Sequence, residues 1–487
     1  MLLSANPIPG AAKNGDDAIF APETQQISSE RLAVMLEKIR SEKTNIHSLL
    51  VKRNDSVILD AYFYPFRKGF MHDLASVTKS ITSLLIGIAI DKGFIPGESQ
   101  KIIDYFPEYR MVNESIKNVR IKDLLDMASG FSCSWNDGER ELHQMMKSRD
   151  WTEFMLNLPF SSEPGASFAY CSGNYYLLSE IIQRSTKMSC HQFASRYLFG
   201  PLEIQETHWL ENDKGVNQAW GDLFMTPYDL SKIGTLLIHD GAWHESQIVS
   251  KNWISKLKPQ HRINNEESYG YGWWFEDAQP DKIEAIGRGG QRLIIYKELK
   301  LVIVLTGGGY DSGEIDNDVL ESIADYHEGI ILTNRFNQIQ KEISAQPEAV
   351  PDSGFIRLFE NISGREFCFD VNDLELSSVT FEVRNHSPAI IIKLADGTKE
   401  EHSIGMNNRY DYGNERELRL PIAVKGEWID QTTLLLEYNE LCRINRYRFT
   451  FKFGEGCLEF GIDEDTENID VRLKSVRVNC RRPDGSP

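Results

Sequence analysis

Ser76-Val77-Thr78-Lys79-Ser80-Ile81-Thr82-Ser83-Leu84-Leu85-Ile86-Gly87-Ile88-Ala89-Ile90-Asp91-Lys92-Gly93 is the stretch on which the fold turns. The apolar run, closed by Asp91-Lys92-Gly93, predicts a buried helix with Ser76 and Lys79 at its mouth. Three positions apart, the two residues share one helical face, one turn from each other. Burying that turn strips water from the ammonium, lowers its pKa and frees a lone pair to take the serine proton. The helix N-terminus adds positive potential where an alkoxide or an acyl oxyanion would form. The pattern describes a serine nucleophile with a lysine base, needing neither metal nor histidine.

Ser-x-x-Lys by itself is expected about once or twice by chance in a chain of this length. A second copy, Ser255-Lys256-Leu257-Lys258, precedes Pro259 among polar residues and reads as a solvated helix end. The bland reading of Ser76, a helix-start serine with a surface lysine, conflicts with the apolar run behind Lys79. Two further stretches favour chemistry. Glu163-Pro164-Gly165 opens a turn, and Tyr170-Cys171-Ser172-Gly173-Asn174 then leads into a helix. A tyrosine on such a loop can relay a proton to a leaving group if a nearby cation lowers its pKa. Gly287-Arg288-Gly289-Gly290-Gln291 precedes two adjacent predicted strands, 292–296 and 301–305, with glycines where a backbone must approach a ligand closely.

In this order, these elements resemble the penicilloyl-serine-transferase superfamily, serine β-lactamases and penicillin-binding proteins, in its class C branch. More narrowly, the chain is similar to the 6-aminohexanoate-dimer hydrolase subgroup. Ile121-Lys122-Asp123-Leu124-Leu125-Asp126-Met127-Ala128-Ser129-Gly130, Leu198-Phe199-Gly200-Pro201-Leu202, Met225-Thr226-Pro227-Tyr228-Asp229 and Tyr269-Gly270-Tyr271-Gly272-Trp273-Trp274 carry that closer resemblance, together with the Ser76 and Gly287 stretches. It extends over about residues 30 to 335.

The resemblance implies that Ser76 is acylated, that Lys79 is its general base, and that Tyr170 passes a proton to the leaving group and helps activate water. It implies an oxyanion hole from the backbone N–H groups of Ser76 and Gln291, and a substrate-binding strand at Arg288-Gly289-Gly290. Where the family usually has Tyr-x-Asn, this chain has Tyr170-Cys171-Ser172, with Asn174 two residues later; Ser172 and Asn174 are the substrate-binding candidates there. Arg288 replaces the usual lysine. It would clamp an anionic group of the substrate through forked hydrogen bonds, or hold down the pKa of Tyr170. Both departures point away from penicillin hydrolysis and toward an amidase or esterase acting on small amides, short peptides or esters. The rival from another class is a non-hydrolytic penicillin-binding or sensor-like protein, or a weak β-lactamase. No cofactor is expected.

The 487 residues suffice for two domains. A net charge of −19 argues against nucleic acid or anionic membrane as a partner, and makes an arginine in a pocket more telling. The partners expected are a small-molecule or short-peptide substrate and, at most, a second copy in a homodimer. Seven cysteines, at 133, 171, 190, 368, 442, 457 and 480, form no Cys-x-x-Cys pair, so free thiols are expected, with Cys171 a small core residue. No His-Glu-x-x-His occurs, so no metal site is expected. Thr306-Gly307-Gly308-Gly309-Tyr310 lacks the lysine of a phosphate loop and reads as a turn. Met1 to Ala21 holds no secretory apolar core, which favours the cytoplasm, or the periplasm had a leader been trimmed.

The expected fold class is α/β plus all-β: a β-lactamase/transpeptidase-like domain followed by a small C-terminal β-barrel or sandwich. Residues 1–27 read as a loose arm and 28–343 as the hydrolase-like domain, an antiparallel sheet with flanking helices and an inserted helical domain spanning roughly 95 to 265. Within it, 46–51 and 57–63 read as a hairpin and 269–275 as an aromatic strand. Residues 344–354 read as a linker, and 355–487 as an all-β accessory domain from their period-two strands.

Overall fold

A computed structural model describes residues 19–478, apart from 134–138, 311–312, 328–332, 349–352, 385–386, 415–419, 455–456, 465, 467–468 and 476. The described chain divides into two compact units. One runs to Ala61 and resumes over Met71–Phe336; the other comprises Tyr62–Phe70 and the chain from Asn337 onward. Most of the expected loose arm, Cys480 and the middle of the expected linker lie outside the described residues.

The first unit is built on an eight-stranded antiparallel sheet. Its strands are β1 (Ile46–Arg53), β2 (Ser56–Tyr62), β3 (His261–Arg262), β4 (Glu267–Gly270), β5 (Trp273–Glu276), β6 (Gln279–Gly287), β7 (Gln291–Tyr296) and β8 (Leu301–Gly307). Their order is β2-β1-β8-β7-β6-β5-β4-β3, so the first hairpin closes onto the last strand. The β1–β2 turn uses Asn54 and Asp55, both left-handed, the pairing that suits the twist of a two-residue hairpin. Every residue of β8 is buried, as expected of a central strand covered on both faces. Helices α1 (Ser29–Glu42), α2 (Val77–Asp91), α3 (Gly173–Thr186) and α4 (Pro227–Ile238) supply the surrounding layers. α4 packs on β1, β7 and β8, and α2 packs on β6 and α3.

α2 is buried on all sides from Val77 to Ala89. Its second half, Leu84 to Ala89, is apolar or glycine on every side, as a core helix requires. The predicted aromatic strand at 269–275 is instead two strands, β4 and β5, because Tyr271 and Gly272 both take positive φ and reverse the chain. Arg288–Gly290 is likewise no strand but a tight turn joining β6 to β7, with Gly289 at φ 78° and Gly290 at φ 89°.

The second unit holds a five-stranded and a six-stranded antiparallel sheet sharing one core. The Phe381 ring, from the first sheet, meets Phe451, from the second, edge-on at 5.1 Å, which makes this a sandwich. Helix α5 (Ser353–Ile362) begins within the last two residues of the expected linker and sets Phe359 against Phe381 and Trp428. Tyr62–Phe70 belongs to this unit too: Phe66 clusters with Tyr410 and Leu441, and the Tyr410 N–H donates to the Tyr64 hydroxyl at 2.6 Å.

Candidate active site

Ser76 stands where the chain turns into α2. The approach is fixed by backbone: the Leu74 N–H donates to the Leu223 carbonyl at 2.9 Å, and the Ala75 N–H to Asp73 Oδ1 at 2.8 Å. Ala75 is held left-handed at φ 45°, a costly conformation for a residue with a Cβ. Ser76 itself is half-buried, and its side chain does not cap the helix, so Oγ is free for other work. Its N–H lies at a helix start, among groups that have no acceptor inside the helix.

Lys79 is 1% exposed, and its Nζ lies 2.8 Å from both Ser76 Oγ and the Trp220 carbonyl oxygen. Burial lowers its pKa to about 8, against the opposing pull of the Glu139 and Asp222 carboxylates. Neutral Lys79 has two hydrogens and one lone pair. Donating to Trp220 leaves the lone pair for the Ser76 hydroxyl proton.

Tyr170 completes the group. Its hydroxyl neighbours the Ser76 side chain, and the Lys79 nitrogen lies 4.9 Å from its ring centroid. The ring stacks on Trp274 at 6.2 Å and meets Tyr269 edge-on. Burial pushes its pKa well above the ordinary phenol value, and Tyr269 and Glu139 add to the rise. The sequence reading had a cation, Arg288 among the candidates, lowering this pKa. That is corrected: desolvation dominates, Tyr170 is a neutral phenol, and it is suited to giving a proton rather than taking one.

The two residues expected to supply an oxyanion hole, Ser76 and Gln291, lie on neighbouring segments. Gly287, at the end of β6, lies against Leu74 and Ala75: a Cβ there would stand 2.6 Å from the Leu74 carbonyl oxygen. Gln291 is the cross-strand partner of Gly287. Gly287 thus lies between the segment that leads into Ser76 and the start of β7 at Gln291.

The other expected substrate residues divide. Arg288 is exposed, and Gly289 and Gly290 are half-buried, on the turn beside Gln291. Asn174 is wholly buried in α3 with its amide nitrogen 3.8 Å from Met127 Sδ, leaving no surface for a substrate. Ser172 is also buried, and its hydroxyl donates to Glu139 Oε1. Glu139, which no sequence motif marks, thus occupies the polar position beside the site. The cysteine expectation is corrected as well. Cys171 is not a lone core thiol but is disulfide-bonded to Cys133, and Cys368 is disulfide-bonded too. Cys190, Cys442 and Cys457 carry free thiols. Among the described residues no His/Cys/Asp/Glu group could hold a metal ion, and no helix is long and apolar enough to cross a membrane.

The beta-lactamase family model matches residues 43–325. The 6-aminohexanoate-dimer hydrolase of Paenarthrobacter ureafaciens is 25% identical over 324 residues, spanning 61% of this chain and 81% of that protein. An octameric penicillin-binding protein homologue from Pyrococcus abyssi superposes with a TM-score of 0.51 at 16% identity, covering 92% of this chain and 99% of that one. A family VIII carboxylesterase superposes with a TM-score of 0.52 at 16% identity, covering 64% of this chain and 99% of the other. At these identities the two structures speak for the fold.

Proposed function

We propose that this chain, which belongs to the beta-lactamase family, is a serine hydrolase that works through an acyl-enzyme on small amides, short peptides or esters. The observation that carries the reading is the 2.8 Å contact between Lys79 Nζ and Ser76 Oγ inside a core that lowers the lysine pKa to about 8. Neutral Lys79 takes the hydroxyl proton as Oγ attacks the substrate carbonyl. The N–H groups of Ser76 and Gln291 receive the oxyanion. Tyr170 gives its proton to the departing nitrogen or oxygen and regains one from protonated Lys79. Water, activated by the same pair, then attacks the ester and releases Ser76.

The charges around the site support a linear amide with an ammonium on its acyl half and a carboxylate on its leaving half. Glu139 suits the first and exposed Arg288 the second. One relative is named a 6-aminohexanoate-dimer hydrolase, and a linear dimer of that amino acid would carry this pair of charges.

Intact mass spectra of wild type and Ser76→Ala, after a fluorophosphonate and separately an aryl ester, test the assignment. One fluorophosphonate adduct on wild type alone, with ester turnover, is expected. A stable ester adduct without turnover would make this a binding or sensor protein, and no adduct with either reagent would remove the enzyme.

A further inference from the structure

The Gln291 side chain is 1% exposed and spends all its polar atoms on backbone. Its Nε2 donates to the Gly307 carbonyl at 2.6 Å and the Arg288 carbonyl at 3.1 Å, while its Oε1 accepts from the Gly307 N–H at 3.0 Å. One amide therefore ties the Arg288–Gly290 turn to the end of β8, as an extra peptide unit would. Tyr310 makes a second tie. Its hydroxyl donates to the Gly290 carbonyl at 2.8 Å. Its ring lies so close that a Cβ on Gly290 or Gly307 would stand 2.5 or 2.2 Å from a ring carbon. A backbone tie closes the set: the Gly309 N–H donates to the Gly289 carbonyl at 2.9 Å. These bonds converge on a turn with two residues at positive φ, Gly289 and Gly290, immediately before the amide proposed to bind the oxyanion.

We propose that the Gln291 side chain, with Tyr310 as its second clasp, is a positioning device that aims the Gln291 backbone N–H at the oxyanion. This rests on the acyl-enzyme reading above. A turn of two left-handed glycines has little stiffness of its own. An oxyanion donor is effective only when fixed in advance at hydrogen-bond distance from the developing charge. The side chain supplies that rigidity without touching substrate.

Gln291→Leu keeps the volume and removes all three side-chain bonds; Tyr310→Phe removes one hydroxyl. Both are measured with an aryl ester, with a boronic acid that mimics the tetrahedral state, and with a product acid as a ground-state ligand. For Gln291→Leu, kcat should fall about 10- to 100-fold with KM nearly unchanged, within the range known for misplaced or lost oxyanion donors. Boronate affinity should fall in proportion while product affinity holds. Tyr310→Phe should show the same split at about 3- to 10-fold, scaled to one of several bonds. Equal losses for boronate and product, or kcat within twofold of wild type in both variants, would overturn the proposal. If Gln291→Leu does not fold, the isosteric Tyr310→Phe decides alone. Failure of Ser76 to take up fluorophosphonate in wild type would instead remove the acyl-enzyme reading itself, so the two failures are distinguishable.

Discussion

The Glu139 carboxylate acts directly against what burial does to Lys79. Fixed by the Ser172 hydroxyl, it favours the charged ammonium that desolvation disfavours, and the balance leaves the lysine near pKa 8. The acidic limb of the rate profile should therefore rise through about pH 8, because only neutral lysine can take the serine proton. Glu139→Gln removes a pull that raises the pKa, so the pKa falls and the limb moves to lower pH. The test is kcat/KM for a neutral aryl ester from pH 5 to 10. A limb that stays in place or moves upward would show that Lys79 is not the titrating base, or that Glu139 does not govern it.

Lys79→Ala should lower the acylation rate by about a thousandfold, within the range for loss of a positioned base. It removes a buried cation whose pKa is already depressed, so the fold should persist. Stopped-flow acylation beside a thermal melt reads both. Acylation at the wild-type rate in a folded variant would reassign the base.

The core of the site was legible because its residues are local or stand in ordered motifs. Ser76 and Lys79 lie one turn apart on a helix whose burial the apolar run announces, and Tyr170 precedes a second helix. The hairpin at 46–63 and the strands at 292–296 and 301–305 were readable as one antiparallel sheet, whereas the His261–Arg262 and Gln279–Gly287 strands carried no comparable signal. What escaped was set by contacts far apart in sequence. Glu139 reaches the site from 31 positions before Tyr170 with no periodic signal around it, and the Trp220 carbonyl is a backbone group that any residue could supply. Cys133 and Cys171 follow no spacing rule. The resemblance implies a strand at Arg288–Gly290, and the structure has a turn there because Gly289 and Gly290 both take positive φ, which the letters alone do not reveal.

The Cys133–Cys171 bond joins positions 38 apart in sequence, with Cys171 next to Tyr170. Closing a loop of that size is worth about 4 kcal/mol at most by the chain-entropy argument. The double variant Cys133→Ser, Cys171→Ser should therefore unfold at lower denaturant. It should also lose turnover several-fold, because the residue next to Tyr170 loses its cross-link. Chemical denaturation and ester turnover would be measured together. A variant matching wild type in both would show that the bond neither stabilises the fold nor orders Tyr170.

Gly287 isolates sterics from conformation. Its φ of −130° is open to any residue, yet a Cβ there would press on the Leu74 carbonyl, which is backbone and cannot swing aside. Gly287→Ala should push β6 away from the Ser76 segment and separate the two amides proposed to bind the oxyanion. A loss of kcat by about tenfold or more is expected, since a misplacement of about 1 Å at a reacting centre can cost roughly a hundredfold. Wild-type kcat in the alanine variant would mean that the contact relaxes without moving either amide.

Arg288 separates charge recognition from catalysis. It is exposed on the turn beside Gln291, where a guanidinium can meet a carboxylate on the leaving half of a substrate. A charge-assisted hydrogen bond contributes about 1.5–3 kcal/mol, so Arg288→Ala should cost roughly 10- to 100-fold in kcat/KM for an amide ending in a carboxylate. The matched substrate ending in a carboxamide should lose little, because it presents no anion to the guanidinium. Most of the loss should appear in KM if the contact is equally strong in ground and transition states, and in kcat if it forms only as the leaving group departs. Equal losses for the paired substrates would remove the clamp and leave Arg288 a structural part of the turn.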